Sequence, residues 1–486
     1  MSMSHSPSTT VVSAPGKVLI AGGYLVLDPA YSGVVVSTSS RFFTVIEPST
    51  STIQPGLYSL SFDSLPTVQP LEQNTSKNKF VHLALQHTIS LACEIQGTAA
   101  IQQSFASGLD ISIVGDNDFY SQRAQLAALN LPRTLSSLSS IQPFCPQGVT
   151  LSDVHKTGLG SSAALITSLV SALLVHLGVI PSSAFLDDHG KERQLAHNLA
   201  QFIHCLAQGK VGSGFDVSAA VFGSHLYTRF DPSVIAPLMG DESPKSILPV
   251  ISPDNASWNH RIQPFQLPPL TRLMLADVDA GSDTPSLVGK VLGWRKEDEA
   301  RADAVWTNLD KLNQSLASTL LHLSALFSKD RASYVSIVKF ICSLQPIQWT
   351  ADPSFNPCEI EVATAFYQAH NISREIRKCM KEMGELAGVP IEPAEQTKLL
   401  DICTSQAGVI GGGVPGAGGY DAVWLLVCEP EECKYEPRPR ERVEHVWSNY
   451  TELDVSPLSA EESMAKGVRL ESIDDVKGLR HATQQI

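Results

Sequence analysis

The sequence has few charged residues and no long hydrophobic run, and both shortages exclude whole classes of protein. Charged residues make up 17% of the 486 positions, too few for a disordered or coiled-coil chain. The longest apolar stretch, 163–175, contains Thr167, Ser168 and Ser171 and is shorter than the roughly 18–20 residues of a membrane span. The N-terminus has neither a basic start nor an apolar run, so no signal peptide is predicted.

Basic residues are also scarce. The 35 lysines and arginines are outnumbered by 49 acidic residues, giving a formal net charge of -14, which argues against nucleic acid or an anionic membrane as a partner. The nine cysteines form no CxxC pair, and Cys428 and Cys433, the closest two, do not have a common zinc-site spacing. We therefore expect free thiols in a cytoplasmic protein without membrane insertion, as a monomer or homodimer.

Hydrophobic periodicity predicts an α+β protein. Val11–Val12 and Val18–Ala21 are predicted to be two short strands joined by a Pro-Gly turn. Further strands are predicted at 34–36, 42–46, 109–113 and 422–428, and helices at 161–178, 192–208, 301–327, 360–387 and 394–407. Strands at the start of the chain, followed by helices, favour a mixed sheet over a doubly wound parallel one.

The stretch 231–269, rich in proline, serine and aspartate, is the predicted connecting loop between two domains. It separates an N-terminal domain, 1–230, from a C-terminal domain, 270–486. The segments 124–148 and 430–444 are interpreted as excursions without an assigned role.

The strongest local signal is a glycine-rich loop that opens an apolar helix. It comprises Gly158, Leu159, Gly160, Ser161, Ser162 and Ala163. Glycines let the backbone approach a ligand closely, and the first N–H groups of a helix attract phosphate. The loop lacks the Gly-Lys-Ser ending of a Walker loop. Simple helix capping by Ser161 or Ser162 is the alternative at this point.

Three further stretches suggest chemistry, each with a plainer alternative. Ser13–Lys17 ends in a lysine, which could equally lie on the surface of a hairpin. Gln208–Asp216 joins three glycines to a carboxylate, which could equally cap a helix. Gly411–Asp421, between a predicted helix and a strand, is so rich in glycine that its backbone is expected to pass another backbone or a ligand. The four features together favour a phosphate-handling enzyme.

Pro15–Lys17, Gly158–Ala164 and the loop 411–421 resemble the three motifs of the GHMP kinase superfamily. The resemblance implies an N-terminal domain like domain 2 of ribosomal protein S5, which binds ATP, and a ferredoxin-like C-terminal domain. Within the superfamily the sequence is most similar to eukaryotic phosphomevalonate kinases. The stretches that carry this similarity are 21–27, 208–220, 281–286 and 415–421.

The resemblance also implies roles for individual residues. Lys17 and Asp216 would be catalytic, and Lys156 with Gly158–Ala163 would bind ATP, Ser162 contacting Mg²⁺. The acceptor, (R)-5-phosphomevalonate, would be bound by the following residues: Lys17, Gly23, Tyr24, Ser213, Ser282, Thr284 and Gly418.

Alternatives to this function are mevalonate kinase or another GHMP small-molecule kinase, a related ATP-consuming decarboxylase, and a non-catalytic relative. The last is disfavoured because Lys17, Ser162 and Asp216 are all present. His197 and His204, seven residues apart on a predicted helix, could be metal ligands or proton shuttles. Packed or surface histidines are the favoured interpretation.

Overall fold

The computed structural model describes residues 9–49, 58–61, 67–70, 78–149, 153–240, 246–278, 284–433 and 436–484; within 58–61, 67–70 and 284–285 only the backbone is described. The strands of these ranges are β1 Thr10–Ala21, β2 Ser32–Pro48, β3 Tyr58–Ser61, β4 Thr67–Pro70, β5 Leu109–Gly115, β6 His225–Thr228, β7 Arg261–Pro264, β8 Thr271–Asp277, β9 Val409–Gly413, β10 Ala422–Cys428, β11 Ser456–Leu458 and β12 Arg469–Leu470. The helices are α1 Lys79–Gln96, α2 Thr98–Ser104, α3 Arg123–Ala128, α4 Leu135–Leu138, α5 Ser161–His176, α6 Lys191–Gln208, α7 Phe215–Phe222, α8 Leu248–Ile251, α9 Thr284–Glu297, α10 Glu299–Lys329, α11 Arg331–Ile341, α12 Pro357–Ala387, α13 Ala394–Thr404, α14 Pro439–Asn449 and α15 Leu479–Gln484. Six short 3-10 turns complete the elements.

The first sheet is antiparallel and is organised around β2. Its order is β12-β1-β2-β6-β7, and β5 also pairs with β2. The 17 residues of β2 are long enough for two partners, so the first part pairs with β6 and the last part with β5. The separate strands predicted at 34–36 and 42–46 are thus one strand, because the residues between them stay extended and Ser37 and Arg41 pair with β1.

Strand β1 is a single strand, and the predicted Pro-Gly turn is wrong. A register shift lies between Pro15 and Lys17, where a step of two residues in β1 faces a step of four residues in β2, from Arg41 to Ser37. Proline is tolerated at such a bulge because it has no ladder hydrogen bond to donate. Side chains alternate between the two faces of a regular strand, so Val12, Ala14, Val18 and Ile20 would all share one face if β1 had no irregularity.

The two layers lie on opposite faces of this sheet. Before the bulge, Val12 and Ala14 pack on the apolar core formed with α1, α5, α6 and α7. After it, Val18 and Ile20 pack on the core of the C-terminal part of the chain. The bulge therefore changes the face toward which the residues from Lys17 onward point.

The C-terminal sheet, in the order β11-β8-β10-β9, is also antiparallel and packs with the long helices α10 and α12. Gly411–Gly413, predicted to belong to a loop, lie in strand β9. A Cβ on Gly411 would stand 2.7 Å from Ser373 Oγ, so glycine allows α12 to pack on this strand. The helices predicted at 161–178, 192–208, 301–327, 360–387 and 394–407 are confirmed as α5, α6, α10, α12 and α13, and the α+β class is confirmed.

Two parts of the chain do not follow the predicted division into consecutive domains. Strand β7 lies inside the predicted connection 231–269 and extends the first sheet. The chain then returns after β11, which pairs with β8, to form β12, which pairs with β1. The boundaries at 230 and 270 stay a prediction. Among the described residues, no helix is long and apolar enough to cross a membrane.

Candidate active site

Lys17 and the glycine-rich loop are held together by two hydrogen bonds. The backbone N–H of Lys17 donates to the carbonyl of Leu159 at 2.9 Å. Its ammonium group donates to the carbonyl of Gly158 at 2.7 Å and lies 5.4 Å from the centre of the Phe215 ring. Two stretches separated by 141 residues in the sequence thus form one unit, as the shared kinase motifs predict.

Glycine is required on both sides of this contact. A Cβ on Gly16 would stand 2.8 Å from the carbonyl oxygen of Leu159. Gly160 has a φ of +78°, and its Cβ would stand 3.0 Å from Lys17 Cε. Any side chain at either position would push the loop away from the lysine.

The charge of Lys17 is balanced by two carboxylates. Burial lowers the pKa of the Lys17 ammonium, and the negative charges of Asp216 and Asp421 act against that shift. Asp421 was identified in the sequence only as the end of the loop at 411–421. Its proximity to Lys17 depends on how β10 and β1 approach each other, which the sequence pattern does not show.

Helix α5 begins without a side-chain cap. Its N-cap is Gly160 in a left-handed conformation, and neither Ser161 nor Ser162 accepts a capping bond. The capping interpretation of this loop is therefore wrong, and the first N–H groups of the helix remain available to an anion. Leu159 and Ala163 are buried, so they contribute backbone and packing to the loop.

Lys156 lies just before this loop and is exposed; its backbone forms an isolated bridge with Tyr120. It is therefore near the loop but is not fixed against it by a described side-chain bond.

Ser162 and Asp216 are brought together by a residue that the sequence analysis did not place in the site. His204 Nε2 lies 3.0 Å from Ser162 Oγ and 3.7 Å from Asp216 Oδ2. The His204 side chain is only 4% exposed, against 21% for Asp216. The favoured interpretation of His204 as an ordinary packed histidine missed this contact, because it depends on how α5, α6 and α7 pack.

Asp216 is not a helix cap. The N-cap of α7 is Gly214, with φ at +79°, and Asp216 lies in the first turn. Its Oδ1 accepts a hydrogen bond from the Val217 N–H at 2.9 Å, which leaves Oδ2 turned toward His204. The carboxylate therefore has a fixed orientation at the site.

Tyr24 and Gly23, both predicted to hold the acceptor, contact the glycine-rich segment 411–421. Tyr24 is buried and donates its hydroxyl hydrogen bond to the carbonyl of Ala417 at 2.7 Å; burial raises its pKa, so it remains a donor. A Cβ on Gly23 would stand 2.4 Å from the carbonyl oxygen of Gly416. Both residues hold the loop after β1 against the loop before β10.

The described contacts of Gly418 and Ser213 are likewise made by the backbone. Gly418, with φ at +70°, packs against the backbone of Ile391, where a Cβ would overlap the carbonyl. The carbonyl of Ser213 accepts a hydrogen bond from the Tyr227 hydroxyl at 2.9 Å. Ser282 lies outside the described residues, and Thr284 is described only as the first backbone position of α9.

The oxygen atoms near His204 fit a magnesium ion shared with a nucleotide. Mg²⁺ is usually bound by one or two protein oxygens together with phosphate oxygens and water, and Ser162 and Asp216 offer a hydroxyl and a carboxylate. In the described part of the chain no group of three or more His, Cys, Asp or Glu side chains could hold a metal ion.

Comparison with known proteins agrees with this geometry. Residues 141–224 match the model of the GHMP kinases N terminal domain, and residues 369–451 match the GHMP kinases C terminal model. The fold, the glycine-rich loop and Lys17 thus define a GHMP kinase.

Relatives that match most of the chain identify a family within the GHMP kinases. The peroxisomal phosphomevalonate kinase of Arabidopsis thaliana is 38% identical over 86% of this chain and 89% of its own length. The phosphomevalonate kinase of Aspergillus fumigatus is 34% identical, with 87% of each chain covered. The chain belongs to the phosphomevalonate kinase family of the GHMP kinases. The same fold occurs in a Streptococcus pneumoniae phosphomevalonate kinase solved with phosphomevalonate and AMPPNP, with a TM-score of 0.55, 14% identity and coverage of 93% and 99% of the two chains.

Proposed function

We propose that this protein transfers the γ-phosphoryl group of ATP to the phosphate of (R)-5-phosphomevalonate, giving 5-diphosphomevalonate and ADP. This is a step of the mevalonate pathway, which supplies isoprenoids and sterols. The observation that carries the proposal is the hydrogen bond of the Lys17 ammonium to the loop Gly158–Gly160, beside the uncapped start of α5. The relatives of matching length support the choice of acceptor.

The main physical problem of this reaction is charge. Both substrates are polyanions, and two unit charges about 4 Å apart repel by about 4 kcal/mol at an effective dielectric constant of about 20. The ammonium of Lys17 and the N–H groups at the start of α5 are the fixed positive groups that offset this repulsion. We assign the ATP phosphates to the loop Gly158–Ala163 and the transferring phosphoryl group to Lys17.

Asp216 has an orienting role in this scheme. A phosphate monoester has a second pKa of about 6, so the attacking oxygen is mostly anionic at pH 7 and needs little help from a base. Asp216 instead supports the charge of Lys17 and offers an oxygen to the nucleotide-bound Mg²⁺. Magnesium supplies further charge neutralisation of the phosphates when it is bound, and Ser162 is its other proposed ligand.

The acceptor is assigned to the opposite side of Lys17. We propose that the loops carrying Gly23 and Gly418 form its floor, and that Ser213, Ser282 and Thr284 complete its surroundings. Tyr24 supports these loops through its bond to Ala417. Lys156 is assigned to the nucleotide phosphates, which its exposed position next to the loop allows it to reach.

One assay separates this function from its alternatives. ADP release by the purified protein should be measured in parallel with mevalonate, 5-phosphomevalonate and 5-diphosphomevalonate. We expect turnover with 5-phosphomevalonate alone. Turnover with mevalonate but not with its phosphate would assign the protein to the mevalonate kinases instead, and turnover with the diphosphate would indicate the decarboxylase.

The cellular location and the assembly state belong to the same proposal. We propose a cytosolic protein, since the cysteines in the described part of the chain form no disulfide, as in a reducing compartment. Cell fractionation checks this against a peroxisomal location such as that named for the Arabidopsis relative. Light scattering of the purified protein distinguishes a monomer from a homodimer.

A further inference from the structure

His204 lies between two residues of the proposed phosphate site and belongs to none of the three kinase motifs. Its Nε2 contacts Ser162 Oγ at 3.0 Å, and Asp216 Oδ2 lies 3.7 Å from the same nitrogen. The first distance is that of a hydrogen bond, whereas the second is too long for one. His204 thus bonds to the serine and lies close to the aspartate without bonding to it.

The direction of the serine bond follows from a third neighbour. The side-chain amide nitrogen of Gln208, one turn later on α6, lies 3.1 Å from His204 Nε2, and an amide nitrogen can only donate. Nε2 then carries no proton, and its one lone pair is shared between the Gln208 N–H and the Ser162 hydroxyl group, which is the donor in its bond to His204. The proton of Ser162 therefore points at the ring, and the oxygen lone pairs point away from it.

The ring itself is held in place. The His204 side chain is 4% exposed, and its ring centre lies 6.3 Å from that of Phe80 on α1. A buried side chain with packed neighbours has few alternative rotamers, so the acceptor nitrogen stays at one position. The serine hydroxyl consequently keeps its direction before any ligand binds.

We propose that His204 is a positioning residue for the nucleotide-bound magnesium ion. By accepting the Ser162 proton, it directs the serine oxygen toward the cation, and it holds that oxygen at a fixed separation from the carboxylate of Asp216. A hydroxyl that can rotate freely would offer its hydrogen to the cation in part of its orientations, which weakens binding. This inference rests on the proposed function only in placing a nucleotide and Mg²⁺ at Ser162.

Two variants distinguish the effect of the hydrogen-bonding nitrogen Nε2 from the effect of the size of the ring. His204→Phe keeps an aromatic ring next to Phe80 and removes the acceptor. His204→Gln keeps a polar atom at about the reach of Nε2. His87→Phe is the matched control: it replaces another histidine that touches an aromatic ring, Phe202 at 5.0 Å, and that has been given no role in the site.

The main readout is the affinity for AMPPNP, measured by calorimetry with Mg²⁺ and again with EDTA. For His204→Phe we expect affinity to fall about tenfold with Mg²⁺ and to change less than about twofold in EDTA, as for one lost orienting contact. His204→Gln should recover most of the Mg²⁺-dependent affinity, and His87→Phe should behave as the wild type. In turnover assays, kcat of His204→Phe should fall more than the KM for the acceptor rises.

Two results would overturn the proposal. One is an unchanged Mg²⁺ enhancement of AMPPNP affinity in His204→Phe. The other is an equal loss in the Phe and Gln variants, which would mean that the ring acts through packing alone. If His204→Phe does not fold, His204→Asn replaces it, because its amide is too short to reach the position of Nε2.

The outcome is independent of the acceptor. If the wild type binds AMPPNP with Mg²⁺ but does not phosphorylate 5-phosphomevalonate, the proposed function fails while the role of His204 can still be confirmed. If 5-phosphomevalonate is turned over and His204→Phe retains its Mg²⁺ enhancement, the proposed function stands and the role of His204 is refuted.

Discussion

Helix α6 carries two buried histidines, and the surroundings of the two differ sharply. His204 lies near the C-terminal end, against Ser162 and Asp216. His197, two turns earlier, is fully buried among the rings of Phe222, Trp258 and His260, the last at 4.5 Å. We refer to His197, His225 and His260 as the histidine cluster. One residue type on one helix thus lies beside the proposed phosphate site at one end and among aromatic rings and side-chain amides at the other.

The difference shows that burial alone does not indicate function. Burial lowers the pKa of His225 and of His260 to about 4 and that of His197 well below its usual value, so the cluster is neutral near pH 7. Its hydrogen bonds go to groups outside the proposed site: His225 donates to the carbonyl of Gly223 at 2.7 Å and accepts from Ser218 at 2.9 Å, and His260 bonds to Gln194. The contacts of His204 reach instead to α5 and α7, where the other functional groups lie.

The largest expected effect is a loss of activity when the ammonium group of Lys17 is removed. Lys17→Met should lower kcat by about a thousandfold or more, since it removes the only ammonium bonded to the loop among the described residues. The melting temperature should stay close to that of the wild type. The control is Lys191→Met at the opposite end of α6, where the lysine is exposed and pairs with Asp254. Near-full activity of Lys17→Met would remove the lysine from the mechanism.

The second-largest expected effect tests the role of the Asp216 carboxylate. Asp216→Asn should lower kcat by about a hundredfold, and the loss should be the same from pH 6.5 to 8.5 if the carboxylate only orients its neighbours. The measurement is the pH profile of kcat for both proteins. A loss that shrinks as the pH rises would instead show that Asp216 takes a proton from an incompletely ionised acceptor.

A matched pair of glycines tests whether the site depends on close packing. Gly160→Ala should cost about 1–2 kcal/mol of stability through its positive φ and should also lower kcat/KM for ATP by about a hundredfold, because its Cβ meets Lys17. Gly209, the C-cap of α6, has a φ of +71° and nothing within 4 Å of a Cβ. Gly209→Ala should lose similar stability and keep its activity. Equal activity losses would mean that backbone strain, rather than the clash, controls the site.

The smallest effect on activity is expected in the histidine cluster. A group with a pKa of about 4 when folded and about 6.5 when unfolded favours the unfolded state as the pH falls below 6.5. Between pH 7 and 5, each such histidine should cost the wild type about 2 kcal/mol of unfolding free energy. His260→Gln, which cannot titrate, should remove about that much of the acid sensitivity.

Urea unfolding at pH 7 and pH 5 provides the measurement for His260→Gln, with activity at pH 7 as the control. Activity should remain within about twofold, since His260 bonds to Gln194 and has no contact with the phosphate site. An unchanged acid sensitivity would show that the cluster is already charged in the folded protein. A large activity loss would contradict the separation of the two ends of α6.

The amino-acid sequence by itself determined the helices and the kinase family, and it predicted most residues of the proposed phosphate site. Apolar residues repeat along 161–178 and 192–208 with the period of a helix, and the glycine-rich loop directly before α5 carries its own conformational requirement. These are local properties, readable over a few turns of chain. The pairing of Lys17 with the loop is not a local property. The sequence predicted it only through the motifs shared with a known family.

Tertiary structure alone decided the bulge in β1, the contact between Ser162 and His204, and the proximity of Asp421 to Lys17. Each joins segments far apart in the chain; Ser162 and His204 are 42 residues apart and meet only because α5 packs on α6. The bulge illustrates the physical reason best. A Pro-Gly pair is compatible with a turn or with an irregular strand, and pairing with β2 on both sides of the pair selects the strand.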